Sequence, residues 1–545
     1  MPFSSESGKH LIDRFVLRLR KENLTNTLYV LDIGVGSGTY FDRYAGTHLS
    51  KDKTVWTGVE IWEPYITKYQ LATKYNSIIQ QDAREYAAFA AKQAAEANGT
   101  YYDICFVGDI AEHMTKDEAK LMVSNLSQFC RVIVMSIPIV HYPQGEYEGN
   151  PYEAHVKDDW SNEEVLETFS SITDFGVENE IGVYFISLDP HGEWVKNLNA
   201  PRIAVYSICK NEERFAKRFA DSVVDANYVV VCDTGSTDNT KKILRENLVD
   251  EVGISCVKHQ VYDIAVTPWR FDDARNTAMM LVPEDADLCI SLDLDEYLQE
   301  GWYDILADEI YSHYQTRGRL FDKYNCRFQT VWDWETLEAE GKSDNESQNT
   351  SSHWHERIHT RHNWKWRLPV HEVLTFTGTH QEAWAWLGGF LMTQKPEMKA
   401  GKHTYLPMLE QSVKEDPNVW KSWFFYAEEL NKAGRLADAI AALKSAQKVP
   451  DCDQAYVNMM LGHYCAKTDV YAATSYYQQA CQLKPNSREM WVNLAVYSAE
   501  QGNKQGAKAA IEKAKACVTQ SSGYDFNPKC WGPWFDDLYH QLTQE

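Results

Sequence analysis

The chain has 545 residues, and at roughly 150 residues per domain this length predicts about three or four domains. Hydrophobic residues make up 44% and charged residues 24% of the sequence, a composition that excludes a wholly disordered, collagenous or disulfide-scaffold protein. The 54 Lys and Arg and the 78 Asp and Glu give a formal net charge of −24. This charge disfavours a general binder of nucleic acid or anionic membranes. A local basic groove is the alternative that the net charge does not exclude.

The twelve cysteines contain no C-x-x-C pair, which disfavours a zinc site. Cys105, Cys209, Cys232 and Cys289 lie in apolar runs, so buried, reduced thiols and a cytoplasmic location are expected. The first residues lack the apolar segment of a signal peptide. The longest apolar stretch, 132–140, is far shorter than the roughly 20 residues of a membrane helix, so no membrane span is expected.

The first third of the chain alternates short apolar strands with amphipathic helices. Strands are predicted at 29–33, 57–61, 104–107 and 132–137, and helices at 87–97 and 116–129. Such alternation is typical of a parallel, doubly wound sheet with helices on both faces. The stretch 189–201 contains Pro, Gly, Asn and mixed charge, and it is predicted to be a linker.

A glycine-rich loop follows the first predicted strand, which contains Asp32. Gly34, Gly36 and Gly38 form a G-x-G-x-G pattern. Thr39 stands where the dinucleotide-binding fingerprint G-x-G-x-x-G has its third glycine. Glycines let the backbone approach a ligand closely, and the N-terminus of the following helix favours negative charge. A tight turn with structural glycines is the alternative.

Acidic residues stand at the ends of the next three strands, at Glu60, Asp82 and Asp109. Together with the loop they resemble the class I S-adenosylmethionine-dependent methyltransferases. The resemblance implies a Rossmann-like domain over residues 1–190 that uses S-adenosyl-L-methionine as its cofactor. It implies that the cofactor is bound by Asp32, Gly34, Gly36, Gly38, Glu60, Asp82 and Asp109. His113 and His155 are candidate bases for the acceptor, and a polar loop is the alternative for His155.

The second segment is again α/β, with polar and acidic residues after its strands. Strands are predicted at 203–208, 228–232 and 288–292. Asn211 and Glu212 follow the first strand, Asp233 the second, and Asp293 and Asp295 the third. Because the carboxyl ends of parallel strands meet at one edge, these residues predict a ligand crevice. Two carboxylates at i and i+2 can reach one divalent ion, and oxygen ligands suit Mg²⁺ or Mn²⁺.

This order of motifs resembles the inverting nucleotide-sugar glycosyltransferases of the GT-A fold, the broad family-2 group, over residues 201–410. The resemblance implies a nucleotide-sugar donor, expected to be UDP-linked, and a divalent metal. The implied donor-binding residues are Asn211, Glu212, Asp233, Arg275 and Asp293, and the implied metal ligands are Asp293, Asp295 and His403. For His403, a surface histidine is the alternative.

A later motif supplies the predicted base of this segment. The run from Arg367 to Glu372 reads RLPVHE and resembles the His-Glu motif of a subgroup that is often followed by helical repeats. The resemblance implies that Glu372 is the base and that His371 lies beside the metal or the phosphate. A structural His-Glu pair in a strand is the alternative.

The last segment, 416–545, is predicted to be helical and repetitive. Ala439, Ala473 and Ala507 recur with a spacing of 34 residues, which resembles tetratricopeptide repeats. The resemblance implies an all-α repeat domain with a capping helix near 531–542 and a concave face that binds a protein partner. A stabilising appendage without a partner is the alternative.

Taken in chain order, the motifs predict an α/β multidomain protein: a methyltransferase domain, a glycosyltransferase domain and helical repeats. The expected function is bifunctional, with metal-dependent inverting sugar transfer to a glycan, glycoconjugate or protein and methyl transfer to the same glycoconjugate. One alternative is a glycosyltransferase whose S-adenosylmethionine-binding domain is not catalytic. Others are a non-enzymatic scaffold and a viral DNA-base-modifying glycosyltransferase, which the net charge disfavours.

Overall fold

A computed structural model of the chain describes residues 5–97, 101–188, 191–248, 259–397, 405–520 and 527–544. Within these residues two mixed α/β sheets come first and an all-helical part follows, which confirms the predicted succession of fold types. No helix in the described ranges is long and apolar enough to cross a membrane. The domain bounds 1–190, 201–410 and 416–545 stay predictions.

The first sheet has seven strands in the order β3-β2-β1-β4-β5-β7-β6. Its strands are β1 (Leu28–Ile33), β2 (Thr54–Glu60), β3 (Ser77–Gln80), β4 (Ile104–Gly108), β5 (Ile133–Pro138), β6 (Ile172–Glu178) and β7 (Ile181–Ile186). Its helices are α1 (Lys9–Glu22), α2 (Thr39–Tyr44), α3 (Glu63–Lys68), α4 (Leu71–Lys74), α5 (Ala83–Ala97), α6 (Lys116–Leu126), α7 (Asn162–Thr168) and α8 (Gly192–Asn199). Val30 and Leu31 of β1 are both fully buried, in separate cores, as expected for a sheet covered on both faces.

Two expectations for this region are wrong. The sheet is not wholly parallel, since β7 runs antiparallel to β5 and β6. Only Asn179 and Glu180, both with positive φ, separate β6 from β7, and a two-residue hairpin can join only antiparallel neighbours. The predicted linker also contains α8, whose Val195 and Leu198 are fully buried, because their spacing places both on one apolar helix face.

The second sheet has eight strands in the order β10-β9-β8-β11-β14-β13-β17-β12, and β15 and β16 form a separate pair. The strands are β8 (Ile203–Cys209), β9 (Tyr228–Asp233), β10 (His259–Asp263), β11 (Leu288–Ser291), β12 (Glu296–Leu298), β13 (Lys323–Val331), β14 (Thr350–Thr360), β15 (Trp364–Arg367), β16 (Val373–Phe376) and β17 (Trp384–Gln394). The helices are α9 (Glu213–Val223), α10 (Thr240–Asn247), α11 (Phe271–Leu281), α12 (Trp302–Arg317) and α13 (Trp334–Glu340). Strands β10, β9, β8 and β11 are parallel, so their carboxyl ends share one edge.

The helical part is built from hairpins with a 34-residue period. Its helices are α14 (Leu406–Glu415), α15 (Trp420–Lys432), α16 (Leu436–Ala446), α17 (Gln454–Cys465), α18 (Val470–Leu483), α19 (Arg488–Glu500), α20 (Lys504–Ala516) and α21 (Pro533–Thr543). The hairpins α15/α16, α17/α18 and α19/α20 begin at Trp420, Gln454 and Arg488, at the predicted spacing. Ala439 and Ala473 are fully buried, because small side chains let paired helices approach closely.

A buried ion pair joins the first α/β region to the second. Arg18 of α1 is fully buried and donates from Nη2 to Asp287 Oδ2 at 2.9 Å, and Arg14 pairs with the same carboxylate. Strand β6 also packs closely on α12, since a Cβ at Gly176 would lie 2.6 Å from the carbonyl oxygen of Tyr314. The region that contains the glycine loop is therefore held against the region that contains the acidic strand ends.

Candidate functional sites

The first candidate site is a cavity of about 350 Å³ at the carboxyl end of β1. Strand β1 lies between β2 and β4, where the strand order reverses, and such switch points of α/β sheets form ligand crevices. The volume falls in the range of small-molecule pockets, roughly 300–1,000 Å³. Predicted site residues that line it are Gly34, Gly36, Glu60, Asp82, Asp109 and His113.

The glycine loop shapes one wall of this cavity. Gly34, Gly36 and Gly38 all have positive φ, a region that favours glycine. A Cβ at Gly34 would lie 1.9 Å from Ile110 Cδ1, so a larger residue would require the Ile110 side chain to move as well as a strained backbone. The loop geometry therefore depends on the residue type at Gly34, for steric as well as conformational reasons.

Glu60 is fixed at the end of β2 by the loop itself. Its Oε2 accepts a hydrogen bond from the Gly36 N–H at 2.8 Å, and its Oε1 accepts one from the Trp62 N–H at 2.8 Å. Burial raises the pKa of Glu60 above its ordinary value. A carboxylate has about four acceptor sites, so Glu60 keeps capacity for two hydroxyl donors in the cavity.

The other predicted carboxylates of this region differ in environment. Asp32 lies outside the cavity lining, is buried, and accepts from the Tyr75 hydroxyl at 2.5 Å; burial raises its pKa to about 7. Asp82 binds Arg84 through both carboxylate oxygens, and this hydrogen bonding lowers its pKa. Asp109 has a φ of 53° and accepts from the Ser136 hydroxyl at 3.2 Å.

His113 and His155 are brought together although 42 positions separate them in the chain. Their ring centroids are 4.9 Å apart. Burial lowers the pKa of His113 and raises the pKa of the neighbouring Glu112 well above its ordinary value. Glu112 was missed by sequence reasoning, because an acidic residue in a loop carries no signal until its distant partner His155 is located.

The second candidate site is an acidic cluster immediately after β11. One carboxylate oxygen each from Asp293, Asp295 and Glu296 lies within 4.8 Å of the other two. Burial and the charge of Asp293 raise the pKa of Asp295 to about 7. Burial raises the pKa of Glu296 to about 8, against the opposing charge of Arg357. Three crowded carboxylates of this kind favour a compensating cation.

Two buried arginines face this cluster. Arg275 donates from Nη2 to Asp293 Oδ1 at 2.8 Å and from Nε to Glu372 Oε1 at 2.5 Å. Arg357 donates to Glu296 Oε1 at 3.2 Å and lies 3.8 Å from Asp293 Oδ2. Burial opposes the charged form of Asp293, yet the two arginines hold its pKa below its ordinary value. The predicted base Glu372 thus shares one guanidinium with the predicted metal ligand Asp293.

Arg357 was also missed by sequence reasoning. Arg357 lies two residues after His355 on β14 with the exposed Glu356 between them, and burial, with the charge of Arg357, lowers the pKa of His355 to about 2. Period-two alternation of His355, Arg357 and His359 in the sequence was the available signal, since such residues share one face of a strand.

The predicted nucleotide-binding residues Asn211, Glu212 and Asp233 lie on neighbouring loops at the ends of β8 and β9, and hydrogen bonds connect these loops. Asp233 is fully buried, and its Oδ1 accepts from the N–H groups of Gly235 and Ser236 at 2.9 and 2.8 Å. The side-chain oxygen of Asn211 accepts from the Thr237 N–H at 2.8 Å. The charge of Glu212 acts on Asp295 and contributes to raising its pKa. The ends of β8, β9 and β11 therefore meet at one edge.

The predicted site residue His371 is not part of this cluster. His371 stacks on Phe425 of α15, with ring centroids 3.9 Å apart and an interplanar angle of 14°. Its ring therefore faces the helical part, and its predicted role beside a metal or phosphate stays a prediction. His403 lies outside the described residues.

Comparison with known proteins adds little. No protein-family model matches the chain, and no curated protein matches it. The solved structure of MamA matches 25% of this chain and 84% of its own length, with 21% identity and a TM-score of 0.20. The APC/C hetero-tetramer Cut9-Hcn1 matches 25% of this chain and 26% of its own, with 20% identity and a TM-score of 0.21. These values support no argument about function.

Proposed function

We propose that residues 201–410 transfer a sugar from a nucleotide-sugar to an acceptor, with inversion and with the help of a divalent ion. The observation that supports this most is the cluster of Asp293, Asp295 and Glu296 beside Arg275 at the edge of the parallel strands. The donor set fits such an ion, since three oxygens within 4.8 Å of one another suit Mg²⁺ or Mn²⁺. When bound, the ion would stabilise the charge of the departing diphosphate.

The residues around the cluster have complementary roles in this proposal. Arg275 is buried and positively charged, so its guanidinium can bind the diphosphate oxygens bidentately. Without a donor, the guanidinium is occupied by Glu372 and Asp293. A diphosphate that competes for Arg275 releases Glu372, which then accepts the proton of the acceptor hydroxyl. Donor binding would thereby activate the base. Because Glu372 stays paired with Arg275 until the diphosphate is in place, an incorrectly bound donor would be hydrolysed less.

The Asp293→Asn and Asp295→Asn variants are expected to lose donor turnover by about 10²–10³-fold, the usual cost of removing one electrostatic contact to a transition state. A panel of nucleotide-sugars would be incubated with the protein and Mn²⁺, and hydrolysed or transferred sugar measured by mass spectrometry. Asp308→Asn, on the exposed face of α12, is the matched control and should retain activity. Turnover that is unchanged in both variants, or absent from the parent with every donor, would contradict the proposal.

We also propose that residues 1–190 bind S-adenosyl-L-methionine and transfer its methyl group. The cavity has a suitable volume, and Gly34 of its glycine loop has a positive φ and lies directly against the Ile110 side chain. Glu60 retains acceptor capacity for a ribose diol, and His113 lines the same cavity as a candidate base. The bound cofactor would supply the electrophilic methyl group. Transfer of both groups to one glycoconjugate remains part of this proposal.

The Gly34→Ala variant is expected to bind S-adenosyl-L-methionine about 5- to 150-fold more weakly, because strain of about 1–3 kcal/mol is forced on the loop. Isothermal titration calorimetry measures the affinity, and a product assay separates methyl transfer from binding alone. Gly46→Ala is the control, since a Cβ there meets no atom within 4 Å. Equal affinity in both variants, or no binding by the parent, would refute this proposal.

The helical part is proposed to be a tetratricopeptide-like repeat that presents a protein partner or acceptor. Its 34-residue hairpin period supports this assignment. It also contacts the loops of the second site, since Glu415 of α14 accepts from Arg270 at 2.6 Å and Phe425 of α15 stacks on His371. A partner bound to these helices would therefore lie close to the segments that hold Arg275 and Glu372.

A further inference from the structure

A cluster of three metal-ligating side chains lies beside the first cavity, formed by Glu112, His113 and His155. One ligand atom from each residue lies within 4.8 Å of the other two. Glu112 and His113 are consecutive in a short turn after β4, while His155 comes from the segment between β5 and α7. Ligands at about 2.0–2.2 Å from one ion lie up to about 4.4 Å apart, so a small side-chain movement would close the site.

Each of the two histidines has its Nδ1 beside a backbone carbonyl oxygen. His113 Nδ1 lies 3.3 Å from the carbonyl oxygen of Ala154, and His155 Nδ1 lies 2.5 Å from that of Tyr142. A carbonyl oxygen can only accept, so each Nδ1 carries the proton. The lone pair of each neutral ring is then on Nε2. Ligating histidines usually donate their second ring N–H to a backbone carbonyl or carboxylate in this way.

Glu112 supplies a carboxylate without a partner. Its side chain is 3% exposed, and its Oε2 has no hydrogen-bond partner among the residues that the structure describes. A buried polar atom left unpaired is costly unless a ligand completes it. The backbone oxygen of Glu112 accepts from the N–H groups of Val156 and Lys157 at 2.8 and 3.0 Å. These bonds hold the segment of His155 next to the carboxylate.

The geometry points to a divalent transition-metal site formed by Glu112, His113 and His155, with open coordination positions towards the cavity. Two imidazoles and one carboxylate suit Zn²⁺ or Fe²⁺ rather than Mg²⁺, which prefers oxygen ligands alone. Three protein ligands leave positions for an exogenous oxygen, as in catalytic metal sites. Because His113, Ala154 and Val156 line the cavity, this oxygen would belong to a hydroxyl or carbonyl compound bound there. The site does not depend on the proposed methyl transfer, and with the ion bound His113 is a ligand and not the base of that transfer.

Zn²⁺ binding to the untagged full-length protein tests the site. Equilibrium dialysis with metal analysis would be performed in millimolar Mg²⁺, which occupies all-oxygen sites such as the acidic cluster at Asp293. We expect one tightly bound Zn²⁺ per chain. The affinity for Zn²⁺ should be at least about 100-fold lower in His155→Ala and in Glu112→Gln, because replacing a residue that only hydrogen-bonds to a metal ligand already lowers metal affinity about 10–100-fold. X-ray absorption should find two imidazole nitrogens at about 2.0–2.1 Å from the ion.

The control is His141→Ala in the same segment, whose side chain is 70% exposed, and it should bind Zn²⁺ like the parent. His155→Gln is a second variant if Glu112→Gln does not fold. The inference is overturned if the parent binds no Zn²⁺ under these conditions, or if His155→Ala and His155→Gln bind it with parental affinity. These outcomes use no activity assay, so they are independent of both proposed transfer reactions.

Discussion

Replacing Asp287 with alanine is expected to destabilise the chain by about 3–5 kcal/mol, the usual cost of removing one partner from a buried ion pair. The change would leave the guanidinium groups of Arg14 and Arg18 buried without their common carboxylate. Arg18 would keep hydrogen bonds to backbone carbonyls such as that of Leu198, but no opposite charge at Asp287. Thermal unfolding followed by calorimetry and by circular dichroism measures the loss.

The matched control breaks an exposed ion pair. Asp221→Ala removes the partner of Lys217, at 2.6 Å on the surface of α9, and should change stability by less than about 1 kcal/mol. If Asp287→Ala and Asp221→Ala unfold at the same temperature, the buried pair does not hold the two α/β regions together.

The same network gives a pH dependence. Burial opposes the charged forms of Asp285 and Asp287, but Lys21 holds the pKa of Asp285 at about 2, and Arg14 and Arg18 hold that of Asp287 below its ordinary value. Both folded pKa values lie below the unfolded value of about 3.9, so the stabilisation is complete above that pH. It is lost as the pH falls through the folded values. The stability difference between the parent and Asp287→Ala should therefore shrink below about pH 4.

The fold was largely predictable because its signals are local. Residues 203–208 are apolar except for Ser207 and form most of the largely buried strand β8, and the spacing of Ala439 and Ala473 gave the helical period. The reversed strand β7 was missed because its direction depends on the two-residue turn at Asn179, whose positive φ is not encoded by a strong turn motif. The helix α8 was missed because Pro190 and Pro201 around it are typical of a linker.

The candidate sites were predictable only in part, for a related reason. Glu60 is the last residue of its strand, so a motif was enough to place it in the cavity. Glu112 and Arg357 act through partners on distant segments, at His155 and Asp293, and no spacing in one sequence encodes such contacts. His371 stands next to Glu372 in the motif but points to the helical part, since its φ of 52° turns the backbone at that position.

Glu372→Gln is expected to lower sugar transfer by about 10²–10⁴-fold, the range typical of a lost general base. The amide cannot accept the acceptor proton at neutral pH, yet its oxygen can still accept a hydrogen bond from Arg275, as Glu372 does at 2.5 Å. Donor affinity should therefore change little or increase, because the neutral amide competes with the diphosphate for Arg275 less strongly than the carboxylate does. Initial rates at saturating donor and acceptor measure transfer, and titration calorimetry with the donor measures binding. Glu410→Gln, on an exposed position of α14, is the control and should keep the parental rate.

The pattern of the loss distinguishes a base from a positioning residue. If Glu372 takes the proton, kcat falls while the Kd of the donor stays near the parental value. If Glu372 serves only to orient Arg275, kcat at saturating donor is largely kept and the Kd of the donor rises, because the guanidinium is no longer held in the position that binds the diphosphate. His371→Phe keeps an aromatic ring on Phe425, so it should retain transfer if His371 only packs against the helices. A kcat loss in His371→Phe as large as in Glu372→Gln would instead assign the chemistry to the histidine.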